Sequence, residues 1–310
     1  MTDEALKIPA IISWSGGKDS AYALYKVMEQ GLYDVKYLLS TFNGNTNTLA
    51  THAVSEALME AQAIQTGISL WKVYVYETNN EAYEQPMKEA FLKAREAGIY
   101  HIIYGDIFLE DLRQYREEKL KELNMHAVFP LWKMDTKELL NDFVLKGFKA
   151  ITCCVDNSKL DKTWAGKIIN RDFINELPAA ADACGENGEY HSFCTDAPFF
   201  KKALKIKTGA VTHQSLALNL ANASPGSAPL DTKSFWYCDL ELAAMDNKHE
   251  LKPCPRCGKI FECKVGDVAH CQCFGIKLNE EAVNFIEKKY GDCLCSNCLQ
   301  FLSNESNLTS

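Results

Sequence analysis

The segment Ser15-Gly16-Gly17-Lys18-Asp19-Ser20 stands directly after an apolar run and directly before an amphipathic one, and few folds can house it. A helix start exposes backbone N–H groups that carry partial positive charge. Two glycines let the chain wrap closely around an anion, and the lysine adds a mobile cation. Ser15 and Ser20 can donate hydroxyl hydrogen bonds, and Asp19 can orient the loop or offer oxygen to magnesium. The spacing is not that of the Walker A loop, which needs four residues between its first glycine and the Gly-Lys pair. A strand–loop–helix unit of this kind belongs at the carboxyl edge of a wound parallel sheet.

The rest of the chain agrees with that placement. Short β-branched or aromatic runs predict strands over 10–14, 35–42, 70–76, 101–104 and 150–155. Between them, helical patterns span 20–30, 52–65, 80–97, 111–123 and 136–145, and Gly31, Gly67, Gly98 and Gly147 stand where such helices should stop. After residue 155 the pattern becomes irregular. A helix is expected near 166–175, then a loop over 182–198 dense in Gly, Cys and carboxylates. Strands over 211–221 and 235–242 follow, joined by the turn residues Ser224-Pro225-Gly226-Ser227.

With 310 residues, 47% hydrophobic, the chain can build a sizeable core and more than one domain. Its 33 basic and 41 acidic residues leave a net charge of −8, so a nucleic-acid partner would need a local patch. No apolar run approaches the ~20 residues of a membrane span. The first residues lack the basic and then apolar order of a signal peptide, which points to the cytoplasm. In that reducing setting, clustered cysteines more often hold metal than form disulfides.

Ser15 to Ser20 resembles the PP-loop of the N-type ATP pyrophosphatases, relatives of the adenine nucleotide alpha hydrolases. Two further segments resemble the diphthine–ammonia ligase family among them. One is Gly105-Asp106-Ile107 at a strand end, followed by Tyr115-Arg116 and Phe129-Pro130-Leu131-Trp132. The other is Cys184-Gly185-Glu186-Asn187-Gly188-Glu189-Tyr190-His191-Ser192, similar to the family's Cys-Gly-Glu-x-Gly-Glu-x-His-Thr signature, with serine in place of the threonine. The resemblance spans most of residues 8–243. It implies an α/β fold: a HUP-like doubly wound parallel sheet over about 1–130, and a mixed α+β substrate subdomain over 131–243. A linker over 244–253 would lead to a small metal-bound cysteine-rich module over 254–302.

What the resemblance implies chemically is ATP-dependent amidation. A carboxylate attacks the α-phosphate, pyrophosphate leaves, and ammonia converts the acyl adenylate to an amide and AMP. Ser15, Gly16, Gly17, Lys18, Asp19, Ser20, Asp106 and Arg116 would hold ATP and its Mg2+, with Lys18 also stabilising the leaving pyrophosphate. Glu186, Glu189 and His191 would bind substrate and handle protons. Read without the family, Asp106 could be a helix N-cap, Arg116 a surface partner of Glu110 or Glu117, and the acidic stretch a surface turn. Thr41, Phe42 and Asn43 end the second strand, near where adenine could lie. The acceptor would be diphthine of elongation factor 2 where the organism makes it, with free ammonia as the nitrogen source. The alternatives are a PP-loop enzyme that modifies RNA, and a non-catalytic adenine-nucleotide sensor with a zinc interaction module.

Eight of the thirteen cysteines lie between Cys254 and Cys298: Cys254, Cys257, Cys263, Cys271, Cys273, Cys293, Cys295 and Cys298. The CxxC pairs at either end bring two thiolates to the separation that tetrahedral zinc requires, and eight thiolates suffice for two structural Zn2+ ions. His270 could replace one of them, and an iron–sulfur cluster is the alternative occupant. The tail resembles the cysteine-rich CWC module, whose expected role is docking of a partner. Cys153 and Cys154 are most simply buried apolar residues at a strand end, with a reactive role the alternative, whereas Cys184 and Cys194 bracket the acidic motif and are the stronger candidates for such a role.

Overall fold

The computed structural model describes residues 7–49, 54–77, 80–217, 232–243, 248–265 and 271–304. The turn at Ser224–Ser227, His270 and the start of the linker lie outside the described residues, as do the expected beginning of the second helix and the end of the strand over 211–221. The chain divides into two compact units, Met1–Leu242 and Ala243–Ser310.

The first unit opens with β1 (Ile8–Ser13), α1 (Lys18–Gln30), β2 (Tyr33–Asn43) and the two-residue β3 (Thr48–Leu49). Then come α2 (Glu56–Thr66), β4 (Ser69–Val75), α3 (Asn80–Glu96), β5 (His101–Ile103), α4 (Glu110–Glu122) and β6 (His126–Val128). β4, β2, β1, β5 and β6 lie side by side in parallel, and β3 turns back antiparallel on the end of β2. Because strand side chains alternate between faces, Ala10 and Ile12 of β1 enter one core and Ile11 the other. Helices α1 and α2 cover the first face, and α3 and α4 cover the second. This is the doubly wound arrangement. The direction of winding changes between β1 and β5, so both strands deliver their carboxyl ends to the crevice where such sheets bind ligands. Gly31 closes α1 with φ 67°, a conformation that costs a Cβ-free residue nothing.

The chain continues through α5 (Thr136–Leu145), β7 (Lys149–Asp156), a 3-10 turn at Lys162–Trp164, α6 (Arg171–Glu176), β8 (Tyr190–Asp196), β9 (Ile206–Ala217) and β10 (Thr232–Leu242). β8, β7, β10 and β9 form a second, wholly antiparallel sheet. Residues 150–155, expected to extend the parallel sheet, lie here instead: the last parallel strand is the short β6, and β7 pairs on both sides with antiparallel neighbours. Residues 190–196, expected as loop, are strand, and five of the seven are buried.

In the second unit β11 (Lys248–Pro253) pairs antiparallel with β12 (Ile260–Val265), followed by α7 (Glu280–Lys289) and α8 (Ser296–Leu302). Lys248–Pro253, polar enough to read as linker, is therefore strand. Phe261, Leu294, Leu299 and Leu302 form a small core with Cys254, Cys263, Cys295 and Cys298. No helix among the described residues is long and apolar enough to cross a membrane.

Candidate active site and metal centre

The glycine loop leaves β1 at the crevice and is braced from three directions. Gly16 has φ 70°, and a Cβ there would stand 2.7 Å from both Gln62 Oε1 and Met59 Sδ. A Cβ on Gly17 would come within 3.0 Å of the Ser192 carbonyl, and one on Gly105, beyond β5, within 3.0 Å of the Asp19 backbone. Small residues are thus required where α2, β8 and the β5 end meet the loop. The Gly17 amide donates to Ser15 Oγ at 3.3 Å and the Lys18 amide to Ser192 Oγ at 3.2 Å. Ser15 Oγ and Ser20 Oγ lie 3.1 Å apart.

Lys18 is buried, at 2% exposure. Its ammonium donates to Asp19 Oδ2 at 2.8 Å and to the Cys184 carbonyl, and it lies 4.8 Å from the centroid of the Tyr190 ring. Burial opposes the charge, but Asp19 and the neighbouring groups outweigh it and hold the lysine firmly protonated. Asp19 is pushed up by burial despite Lys18, and its Oδ1 is buried with no hydrogen-bond partner among the described residues. Across the crevice Arg116 donates to Asp106 Oδ2 at 2.6 Å while its guanidinium lies 4.2 Å from the Tyr104 ring centroid. Asp106 is raised by burial, with Arg116 pulling the other way. The N-cap of α4 is Leu109, so Asp106 has no capping role there.

The acidic segment joins the two strand ends. Asp182 Oδ1 accepts from the amides of Cys184 and Glu186 at 3.0 and 3.1 Å, and Oδ2 from Thr136 Oγ1 at 2.6 Å. Glu189, 1% exposed, accepts from the amides of Asp182 and Asn187, each at 3.1 Å. Both its oxygens are therefore engaged within its own loop. Glu186 reaches outward, accepting from the amides of Ile107 at 2.8 Å and Phe108 at 3.4 Å. Burial, with the charges of Asp19 and Asp106 nearby, pushes it up to about 7. His191 is half-buried on β8, opposite Cys154 in the β7 register. Burial raises the Cys154 thiol to about 12 and Cys153 and Cys194 further, so none is a ready thiolate.

In the second unit the sulfurs of Cys254, Cys257, Cys295 and Cys298 all lie within 4.8 Å of one another. Tetrahedral ligands at about 2.3 Å from zinc stand roughly 3.8 Å apart, so the group is close to the size of a zinc site. Burial opposes ionisation of Cys254, yet the amides of Cys295, Cys257 and Arg256 draw its thiol down to about 6. The other four cysteines are neighbours too: the Cys271 and Cys273 sulfurs are 3.1 Å apart, Cys263 lies within electrostatic reach of Cys293 and Cys271, and Cys273 within reach of Cys293.

Family models for the diphthamide synthase N-terminal domain and C-terminal domain match residues 8–127 and 135–218, and a cysteine-rich CWC model matches 254–300. The diphthine–ammonia ligase of Rattus norvegicus is 26% identical over 235 residues, covering 68% of this chain and 86% of its own length. That of Homo sapiens is 24% identical over 234 residues with the same coverage. The protein of the same name from Schizosaccharomyces pombe is 32% identical over 103 residues, 32% of this chain and 17% of that one. The chain belongs to the diphthine–ammonia ligase family.

In this member of the family the glycine loop, Asp106, Arg116 and Glu186 meet in one crevice, while Glu189 is a strut behind it. Gln62 is a further residue of the site that the sequence reading passed over. Fully buried on α2, it donates to the Gly16 carbonyl at 2.9 Å and the Cys194 carbonyl at 2.6 Å and accepts from the Trp14 indole at 3.0 Å. A glutamine on the buried stripe formed by Leu58, Met59 and Ala63 was the available signal. Gln62→Leu strands the Cys194 carbonyl and the Trp14 indole N–H, while the Gly16 carbonyl keeps the Cys194 amide, and should cost about 2 kcal/mol or more, measured as a lowered denaturation midpoint. A loss below about 0.5 kcal/mol would mean that water replaces the amide at little cost.

Glu186 makes a pH-dependent prediction. Its folded-state value lies above the ordinary 4.5, so the folded protein keeps a proton that the unfolded chain gives up, and stability falls as pH rises from about 4.5 to about 7. Glu186→Gln should therefore melt higher than the parent at pH 8 and match it near pH 4. Parallel melting curves across that range would contradict the assignment.

Proposed function

We propose that the chain is an ATP-dependent, AMP-forming amide ligase acting on a carboxylate and ammonia. The observation that carries this is the joining of two motifs by buried contacts: Lys18 bonds the acidic segment at Cys184, and Glu186 bonds the strand end at Ile107. A loop built for phosphates and a carboxylate near neutrality thereby face one crevice.

In this reading the Gly17 and Lys18 amides, turned toward the Ser15 and Ser192 hydroxyls, are already aimed as an anion requires, and phosphate oxygens take the place of those hydroxyls. Lys18 neutralises charge on the departing pyrophosphate. Arg116, fixed by Asp106, faces the same crevice and offers its guanidinium to the nucleotide. The acceptor carboxylate oxygen bonds the α-phosphorus as the bond to pyrophosphate breaks. Ammonia nitrogen then bonds the acyl carbon, AMP leaves with its oxygen, and Glu186 takes the proton that nitrogen sheds. Glu189 holds the segment that carries Glu186.

Magnesium fits the donor set, since Asp19 Oδ1 is an orphaned buried oxygen and Asp106 and Glu186 add hard carboxylates. Bound there it would neutralise phosphate charge. Zinc fits the Cys254, Cys257, Cys295 and Cys298 group, where four thiolates leave no open position and the ion's role is structural. A second ion would be held by Cys263, Cys271, Cys273 and Cys293. A cytoplasmic setting keeps these thiols reduced. The relatives' shared name points to diphthine as the acceptor, on elongation factor 2, with the cysteine-rich module docking a protein partner.

The test is to supply ATP, magnesium, ammonium and diphthine-bearing elongation factor 2 and to identify the products. AMP and pyrophosphate in step with amide support the reading, whereas ADP overturns it. AMP formed with tRNA in place of the factor would favour RNA modification.

A further inference from the structure

Tyr190, the first residue of β8, is 1% exposed, and the ligase scheme leaves this buried phenol without a task. Three consecutive residues of the acidic segment meet around it. Its hydroxyl donates to the Ala183 carbonyl at 2.6 Å. The Cys184 carbonyl accepts from Lys18, whose ammonium lies 4.8 Å from the centroid of the tyrosine ring. Gly185 packs so closely that a Cβ there would stand 2.8 Å from the ring carbon Cδ1. Segment and cation thus share one aromatic surface.

The ring is backed against retreat. Phe173 of α6 stands edge-on to it with centroids 5.3 Å apart, and Trp164 stands edge-on to Phe173 at 5.1 Å. Burial drives the phenol far above its ordinary value, so it stays neutral and keeps its proton to donate. An ammonium within about 6 Å of an aromatic centroid is attracted to the ring, most strongly where water is excluded. Lys18 is in such a place, and the ring gives its buried charge a contact beyond those to Asp19 and Cys184. Phenylalanine would fill nearly the same volume. What the hydroxyl adds is a bond to the segment that carries Glu186 toward Ile107.

We infer that Tyr190 is a positioning residue, its ring seating the Lys18 ammonium and its hydroxyl fixing the acidic segment beside the glycine loop. This rests on the ligase reading and adds to it what holds the two halves of the site in register. Buried as it is, Tyr190 acts through Lys18 and Ala183 and not on substrate.

The experiment measures amide formation from ATP, magnesium, ammonium and diphthine-bearing elongation factor 2 by the full chain, Tyr190→Phe and Tyr190→Leu. Rates are divided by the number of ATP-binding sites titrated at equilibrium, which removes any loss due to unfolded protein. Tyr190→Phe keeps the ring and should lose about threefold to tenfold per site, the usual worth of one buried hydrogen bond. Tyr190→Leu should lose about tenfold more, with ATP affinity within about threefold of the parent in both. In a Lys18→Met background, with no ammonium to seat, the step from phenylalanine to leucine should cost less than about twofold. The same step with and without Lys18, or a Tyr190→Phe protein equal to the parent per site, would overturn the positioning role and leave the ligase reading standing. The second of these outcomes decides even where leucine is not tolerated. A parent that forms no AMP would remove the ligase reading, and the positioning role with it.

Discussion

Lys18→Met should slow turnover by about a hundredfold to a thousandfold, the usual loss when a preorganised cationic or N–H donor is removed from developing negative charge. The same change leaves the Asp19 carboxylate in a buried setting without its cation, where a stranded charge costs about 3–5 kcal/mol. Lowered stability and lowered turnover would then be confounded. Lys18→Met combined with Asp19→Asn separates them by removing both charges: stability should largely return and activity should not. Initial rates and denaturation midpoints for the two proteins decide the matter. A folded Lys18→Met protein working within about threefold of the parent would show that the loop amides and Arg116 suffice, and that Lys18 serves only to join the loop to Cys184.

Removing metal from the cysteine-rich unit should abolish its fold. Its apolar core is a handful of residues around Phe261 and Leu302. Thiolate–zinc ligation in small domains contributes about 10–16 kcal/mol near neutral pH, more than so small a core can replace. After exhaustive chelation, protease should cut within 248–304 while 80–217 resists, and readdition of zinc should restore protection. Cys254→Ser, which removes one of the four gathered thiols, should reproduce the chelated pattern. A metal-free chain that still protects its tail would refute the structural role. Metal analysis adds a sharper reading: one ion per chain matches the group gathered among the described residues, and two would place a second on Cys263, Cys271, Cys273 and Cys293.

What could be read from the sequence was local. The glycine loop announces itself because its conformation, charge and helix-start position are encoded in six adjacent residues. The glycine helix stops could be read for the same reason, and the family segments because their residues are contiguous. What could not be read depends on partners distant in the chain. The direction of β7 is set by its pairing with β8 and β10, and nothing in Lys149–Asp156 distinguishes a parallel from an antiparallel neighbour. Tyr190–Asp196 looked like loop because it follows a run of glycines and carboxylates, yet it is buried between the glycine loop and β7. Glu186 and Glu189 were indistinguishable in sequence, three residues apart in the same motif. Only the fold turns one toward Ile107 and folds the other into its own backbone. Arg116 could equally pair at the surface with Glu110 or Glu117 on sequence alone, and its partner is Asp106, ten residues back on the other side of the α4 start.

The Cys194 amide donates to the Gly16 carbonyl at 2.8 Å, and the Cys194 carbonyl is tied by Gln62 to the same glycine. The turn that would grip phosphate is therefore shaped by a strand encoded some 180 positions later. A fragment ending near residue 130 would retain every residue of the hexapeptide and lack the buttress that gives it form. The five parallel strands alone should therefore hold the glycine loop less firmly than a chain that extends through Asp196.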